Sequence, residues 1–220
     1  MKICPYTSRS HTHCDRIYPD TYILIKSLSE LLVSLSTLIV LSILSNSHAQ
    51  KMTNEAALRA GEVEIHTESI PKSSMPKLVA EAIFNAPPAK LWKILEDCSS
   101  YKKNMQSISS SRALGTVNGK LRCEIVIDLP WPLDDLRSVT DAIHVVEVNK
   151  LYQRSWTLVE GDYTANRGFW RLVALDKGTK TYIRYEIHIE PKTSVPNFLK
   201  KSAQKSKIPD LFEHLRSLVE

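Results

Sequence analysis

The sequence predicts an α+β fold: a curved antiparallel sheet of about six to seven strands around a long C-terminal helix, with one or two short helices after the first strand. Three observations carry this. From residue 107 onward, apolar and polar side chains alternate with period two in run after run, with only short turns between them, the pattern of hairpin-connected strands wet on one face. One segment with a helical apolar stripe, residues 195–220, ends the chain. A sheet wet on one face must cover the other. A single helix of about 10 Å diameter is narrower than such a sheet, so the sheet must curl around it and leave space between.

Each element has a local cause. Residues 62–70, "EVEIHTESI", alternate weakly, and "KLVAEAIFNAP" (77–87) reads as a strand stopped by two prolines. Pro87 and Pro88 suit the first turn of a helix, in which Leu91, Ile94 and Leu95, with Trp92 beside them, form an apolar stripe. "SSYKKNMQS" (99–107) predicts a short second helix. "SISSSRALG", "KLRCEIVIDL", "SVTDAIHVVEV", "LYQRSWTLVE", "RGFWRLVAL" and "TYIRYEIHIE" follow as strands, with turn signals at Asn149-Lys150 and Asp176-Lys177-Gly178. "DLPWPLDD" (128–135) breaks the strand pattern, because two prolines flanking Trp131 cannot continue a central strand. In the C-terminal segment, Phe198, Leu199, Ala203, Ile208, Leu211, Phe212, Leu215 and Leu218 recur at helical spacing, and Pro209 is expected to kink or split the helix.

The bulk numbers bound the function. The chain has 220 residues, 43% hydrophobic and 24% charged, enough for one good core. A net charge of +5 is too mild to argue for nucleic acid, and six glycines leave little for Gly-rich phosphate loops. The first part of the chain differs. "LLVSLSTLIVLSILS" (31–45) is uncharged and apolar, Lys26 lies upstream, and "SNSHAQ" follows with Ser47 and Ala49 where a signal peptidase reads. Residues 1–49 therefore read as a secretory signal with a leader, cleaved after Ala49, or else as an uncleaved membrane anchor. Residues 50–61 read as a polar linker and 62–220 as one domain. Export leaves Cys98 and Cys123, which read as two small buried hydrophobes, although an oxidising compartment permits a disulfide.

The order of these elements, together with "APPAKLWKILEDCSSY", "IDLPWPLDDLRSV", "LVEGDYTANRGFWRL" and "IPDLFEHLRSLVE", resembles the START-like superfamily, also called SRPBCC or Bet v 1-like. Within it, the chain is most similar to the polyketide cyclase and coenzyme Q-binding START branch. The resemblance covers residues 77–220. It implies a helix-grip fold, a sheet gripping a helix with an elongated apolar cavity between, and hence binding and possible transport of a hydrophobic ligand such as a lipid or isoprenoid. One departure from the family pattern is Leu136, which stands between Asp135 and Arg137 and puts any family role of that arginine in doubt.

Alternation places Cys123, Ile125, Ile127, Trp156, Leu158, Trp170, Leu172, Ile183, Tyr185 and Ile187 on the cavity face, with Phe198, Leu211, Phe212 and Leu215 closing it from the helix. Trp131 either folds over the cavity end as a lid or plugs the end of the domain. Period two also turns Arg154 inward with Trp156 and Leu158. There it either holds a ligand carboxylate or phosphate bidentately, or reaches solvent along its stem from a strand end. No Gly-x-Ser-x-Gly, His-Glu-x-x-His or Cys-x-x-Cys pattern occurs, so no catalytic residue, metal site or cofactor is expected. The reading is binding; the alternative is a cyclase- or aromatase-type enzyme using Arg154, Tyr185 and His144. His188 falls on the polar face of its strand. Lys200, Lys201, Lys205 and Lys207, beside Phe198 and Leu199, read either as a transient membrane contact at the cavity mouth or as a plain solvated helix face whose Phe198 and Leu199 pack on the sheet.

Overall fold

The computed structural model describes residues 52–73, 75–193 and 207–220. Eight strands form one antiparallel sheet: β1 (Glu64–Glu68), β2 (Lys77–Phe84), β3 (Ile108–Val117), β4 (Lys120–Ile127), β5 (Leu136–Glu147), β6 (Leu151–Gly161), β7 (Tyr163–Leu175) and β8 (Lys180–Pro191). Their order across the sheet is β1-β2-β8-β7-β6-β5-β4-β3. From β3 to β8 each strand pairs with its neighbour in sequence, as the short turns demand. The β3–β4 turn uses Asn118 and Gly119, both at positive φ, as a tight hairpin requires. The eighth strand beyond the expected six to seven is β1, whose alternation is short and weak; it forms because β2 offers it a free edge.

The curl has visible causes. The β3–β4, β5–β6 and β7–β8 ladders each carry register shifts, and an extra residue in one strand bends it and increases its twist.

The helices divide between the two faces of the sheet. Helix α1 (Glu55–Arg59) lies within the stretch read as linker, with its Leu58 buried against Ile83 and Tyr182 on the outer face. Helix α2 (Pro88–Leu95) begins as the two prolines dictate and buries Leu91, Trp92 and Leu95. A 3-10 turn (Cys98–Ser100), capped by the Asp97 carboxylate accepting from the Ser99 amide, leads into α3 (Tyr101–Asn104). Helix α4 (Ile208–Val219) buries Phe212, Leu215 and Val219 on one stripe. Pro209 sits in the first turn of the described helix, where a missing N–H costs nothing; the residues before 207, across which the expected kink or split would run, lie outside the described residues. Residues 195–206 lie outside the described residues, and with them the Phe198 and Lys200, Lys201 and Lys205 expectations.

The main core lies within the grip: Leu78, Ala80, Ala82 and Phe84 from β2, the α2 stripe, Trp156, Trp170, Leu172, Ile183 and Tyr185 from the sheet, and Phe212 and Leu215 from α4. The outer face of β2 and β8 carries a buried ionic network. Glu81, fully buried, accepts from the Tyr182 hydroxyl and from Arg184, both at 2.5 Å, and from Thr53. Arg184 in turn pairs with Glu186. Burial pushes the Glu81 carboxyl up, but the donors from Thr53, Tyr182 and Arg184 outweigh it and hold it below the usual carboxylate range.

Candidate functional site

The inner face of the sheet is built from alternate residues of β4 to β8, and its two ends differ. Toward α2 and α4 it is packed with aromatic rings. Tyr185 stacks on Trp170 with centroids 3.9 Å apart, Trp156 stacks on Tyr185 at 6.2 Å, and Phe212 of α4 meets Trp170 at 6.1 Å and Phe84 at 6.2 Å. Toward the ends of β4 and β6 the same face carries Ile125, Ile127 and Leu158, which are only half-buried. Ile125 lies opposite Ser138, and Cys123 opposite Thr140, which is opposite Leu158. These side chains therefore form one continuous floor.

Trp156 is seated by two residues that the sequence reading missed. Gly168 lies opposite it across the β6–β7 ladder, and a Cβ there would come within 2.6 Å of the indole and 2.2 Å of the Glu186 carbonyl. The indole Nε1–H donates to Asn166 Oδ1 at 3.0 Å. Asn166 and Gly168 are two apart on one face, so alternation could have placed both inward; their small or polar character disguised them.

Arg154 is inside. It is 2% exposed, which overturns the solvent-reaching alternative. Its strand neighbours are His144 on β5 and Trp170 on β7. The guanidinium Nη2 donates to Cys123 Sγ at 3.1 Å, and its carbon stands 5.5 Å from the centroid of the Tyr101 ring. Its Nε has no hydrogen-bond partner among the described residues. Tyr101 donates its own hydroxyl to the Leu95 carbonyl at 2.5 Å. His144 packs edge-on against Trp92 at 5.0 Å; burial first, and then the charge of Arg154, lowers its pKa and favours a neutral ring. Burial pushes the Tyr185 phenol well up, so it stays protonated.

Cys98 and Cys123 form a disulfide, correcting the expectation of two unlinked buried hydrophobes. Each has the small, inward, buried position expected of it, but only the curl of the sheet brings the 3-10 turn over β4. A small cluster forms around the bond from Tyr101, Met105, Ile108, Leu121 and Ile125.

The remaining expected site residues divide clearly. Ile183 and Leu215 are fully buried in the main core, Trp156 and Trp170 line it, and Leu211 is half-buried against it. Phe198 lies outside the described residues. Trp131 is corrected: at 92% exposed it neither plugs the domain nor folds over its interior. The 128–135 connection carries it away from the body, with a cis Trp131–Pro132 bond. Arg137, the residue after the Leu136 departure, faces outward and pairs with Glu124 and Glu160. His188 also faces outward, yet it is buried, with Nε2 3.0 Å from Ser73 Oγ. Among the described residues no group of three His, Cys, Asp or Glu side chains is placed to hold a metal ion.

With this geometry in place, comparison with known proteins decides the family. The family described as "Polyketide cyclase / dehydrase and lipid transport" matches residues 84–216. The chain belongs to that family. The match runs from the end of β2 through most of α4, and so spans the whole inner face described above. Among solved structures of similar fold is a STAR-related lipid transfer protein from Xanthomonas axonopodis, 17% identical, covering 77% of this chain and 98% of its own, with a TM-score of 0.59. Human StAR-related lipid transfer protein 5 is 12% identical over 86% of this chain and 97% of its own, with a TM-score of 0.60. The Zhui aromatase/cyclase from Streptomyces sp. R1128 is 14% identical over 66% and 93%, with a TM-score of 0.50. At such identities these likenesses bear on the fold. Among curated proteins no sequence relative matches. The family's helix-grip architecture is the one the element order predicted.

Proposed function

We propose that this chain binds a hydrophobic ligand, a lipid or isoprenoid, in a cavity between the inner face of the sheet and the C-terminal helix. The observation that carries this is the uneven cover of that face. One end is sealed by stacked aromatics and by α4. The other leaves Ile125 and Ile127 of β4 and Leu158 of β6 half-buried on either side of Ser138 and Thr140 of β5, and a mostly apolar wall with a few polar groups is what ligand pockets use. The family includes lipid transport in its description, and several solved neighbours are named as lipid transfer proteins. The test is native mass spectrometry of the purified protein, followed by uptake of an environment-sensitive dye. A copurifying apolar molecule, or displaceable dye, supports the reading; neither of them, under any lipid offered, ends it.

A second reading, a cyclase- or aromatase-type enzyme, is favoured by one observation: His144, with its pKa lowered, stands beside Arg154 on the inner face, a neutral base next to a cation. The same family description covers cyclases and dehydrases. Loss of turnover of a poly-β-ketone substrate in His144→Ala, with ligand binding retained, would support it.

We propose export as well. The apolar run at 31–45, the small residues at 47 and 49 and the disulfide support it, since disulfides persist in oxidising compartments.

A further inference from the structure

We propose that Arg154 is an anion-binding subsite of this cavity, and that the ligand is an amphipath, an apolar body ending in a carboxylate or phosphate. The inference rests on the apolar-ligand reading above and adds the ligand's headgroup. Arginines on other strands of the sheet show what a satisfied guanidinium looks like here: Arg122 holds Asp141, Arg137 holds Glu124, and Arg184 holds Glu81. All three face outward. Arg154 faces inward, is buried, and has no carboxylate partner among the described residues. The nearby Asp97 carboxylate, whose pKa is lowered mainly by Ser99, is taken up by the Ser99 amide and hydroxyl at 2.8 and 2.6 Å. What Arg154 has instead is a sulfur, a weak acceptor, and the face of an aromatic ring.

A buried charge with no carboxylate paired to it is costly, and the two contacts it has fix its direction more than they neutralise it. The Cys123 sulfur orients one Nη, the Tyr101 ring lies against the guanidinium, and the buried Nε–H is left without an acceptor among the described residues. A ligand oxyanion would complete that set, and a guanidinium fork suits it geometrically. The placement fits an amphipath. Arg154, Trp156 and Leu158 run along one face of β6, and Cys123, Ile125 and Ile127 along one face of β4. At about 3.3 Å per residue, the four residue steps from Arg154 to Leu158 span about 13 Å of floor leading away from the charge.

The test compares three probes that share one oleyl chain: oleate, oleyl phosphate and oleyl alcohol, titrated into the delipidated full chain by calorimetry. Wild type should bind at least one of the two anions ten or more times more tightly than the alcohol, and their ratio tells carboxylate from phosphate. Arg154→Met should erase that gap while holding alcohol affinity within about twofold, and Arg154→Lys should restore part of it. Equal binding of all three by wild type overturns the subsite and leaves the apolar cavity standing. A gap that survives in Arg154→Met overturns it too. Binding of none of the three overturns the cavity and the subsite together. Should Arg154→Met fail to fold, the wild-type comparison alone decides.

Discussion

At the scale of single residues, the chain concentrates its charges where the sheet can neutralise them, and two positions make sharp predictions. Glu81 is enclosed by Thr53, Tyr182 and Arg184. Removing its charge leaves Arg184 largely buried with only Glu186 to answer it, so Glu81→Ala should cost about 3 kcal/mol in urea unfolding, the scale for breaking a buried pair. A Glu81→Leu/Arg184→Met double variant should recover much of that loss. Gly168 is the second. Any side chain there collides with backbone as well as with the Trp156 ring, so Gly168→Val should destabilise by at least about 2 kcal/mol and shift the tryptophan emission, since Trp156 loses its seat and its bond to Asn166. Neither role could be seen in the linear sequence. Both lie inside segments that read simply as strands, and what each meets depends on residues far away in the chain.

At the scale of elements, the disulfide fastens the 3-10 turn and the start of α3 to β4 across a sequence separation of 25 residues. Closing a loop of that length should be worth about 3 kcal/mol. Thermal unfolding with and without reductant should show it, and a Cys98→Ser/Cys123→Ser variant should match the reduced protein. Helix α4 offers the matching test of its buried stripe. Phe212 touches Phe84 and Trp170, so Phe212→Ala should cost about 3–5 kcal/mol, whereas Leu218→Ala, on the exposed side, should cost almost nothing. The α2 and α4 stripes were legible because a period of 3.6 is written into local sequence. The pairing of Cys98 with Cys123 was not, because it depends on how far the sheet bends over its own first helical segment.

For the whole molecule, acid stability follows from the carboxylates. Hydrogen bonds from Arg112 and Arg137 lower the Glu124 pKa, a hydrogen bond from Arg122 lowers that of Asp141, and a hydrogen bond from Lys77 lowers that of Glu68. Glu81 is lowered as well. A carboxyl depressed in the folded state contributes stability that is present above its unfolded pKa and lost as pH falls through its folded one. The melting temperature should therefore hold near neutral pH and drop below about pH 4, the carboxylate range, with the drop shallower in Glu81→Gln. The proposal of export makes a separate prediction. Protein recovered from its native host should begin at or near Gln50; recovery of the intact 31–45 run in membranes would mean a tethered form.

Sequence alone determined the architecture: strand periods, the two prolines opening α2 and the apolar stripe of α4 are all local patterns, and together they leave a curled sheet gripping a helix as the way to bury one face. It also determined which side of β6 Arg154 belongs to, since alternation is a property of the strand itself. Tertiary structure decided what those side chains meet. The curl of the sheet brings Cys123 to Cys98 and to Arg154 and lays Trp156 over Gly168, while the proline-flanked connection carries Trp131 out into solvent. Such contacts depend on the curvature accumulated over many residue pairs, which no short window of sequence contains.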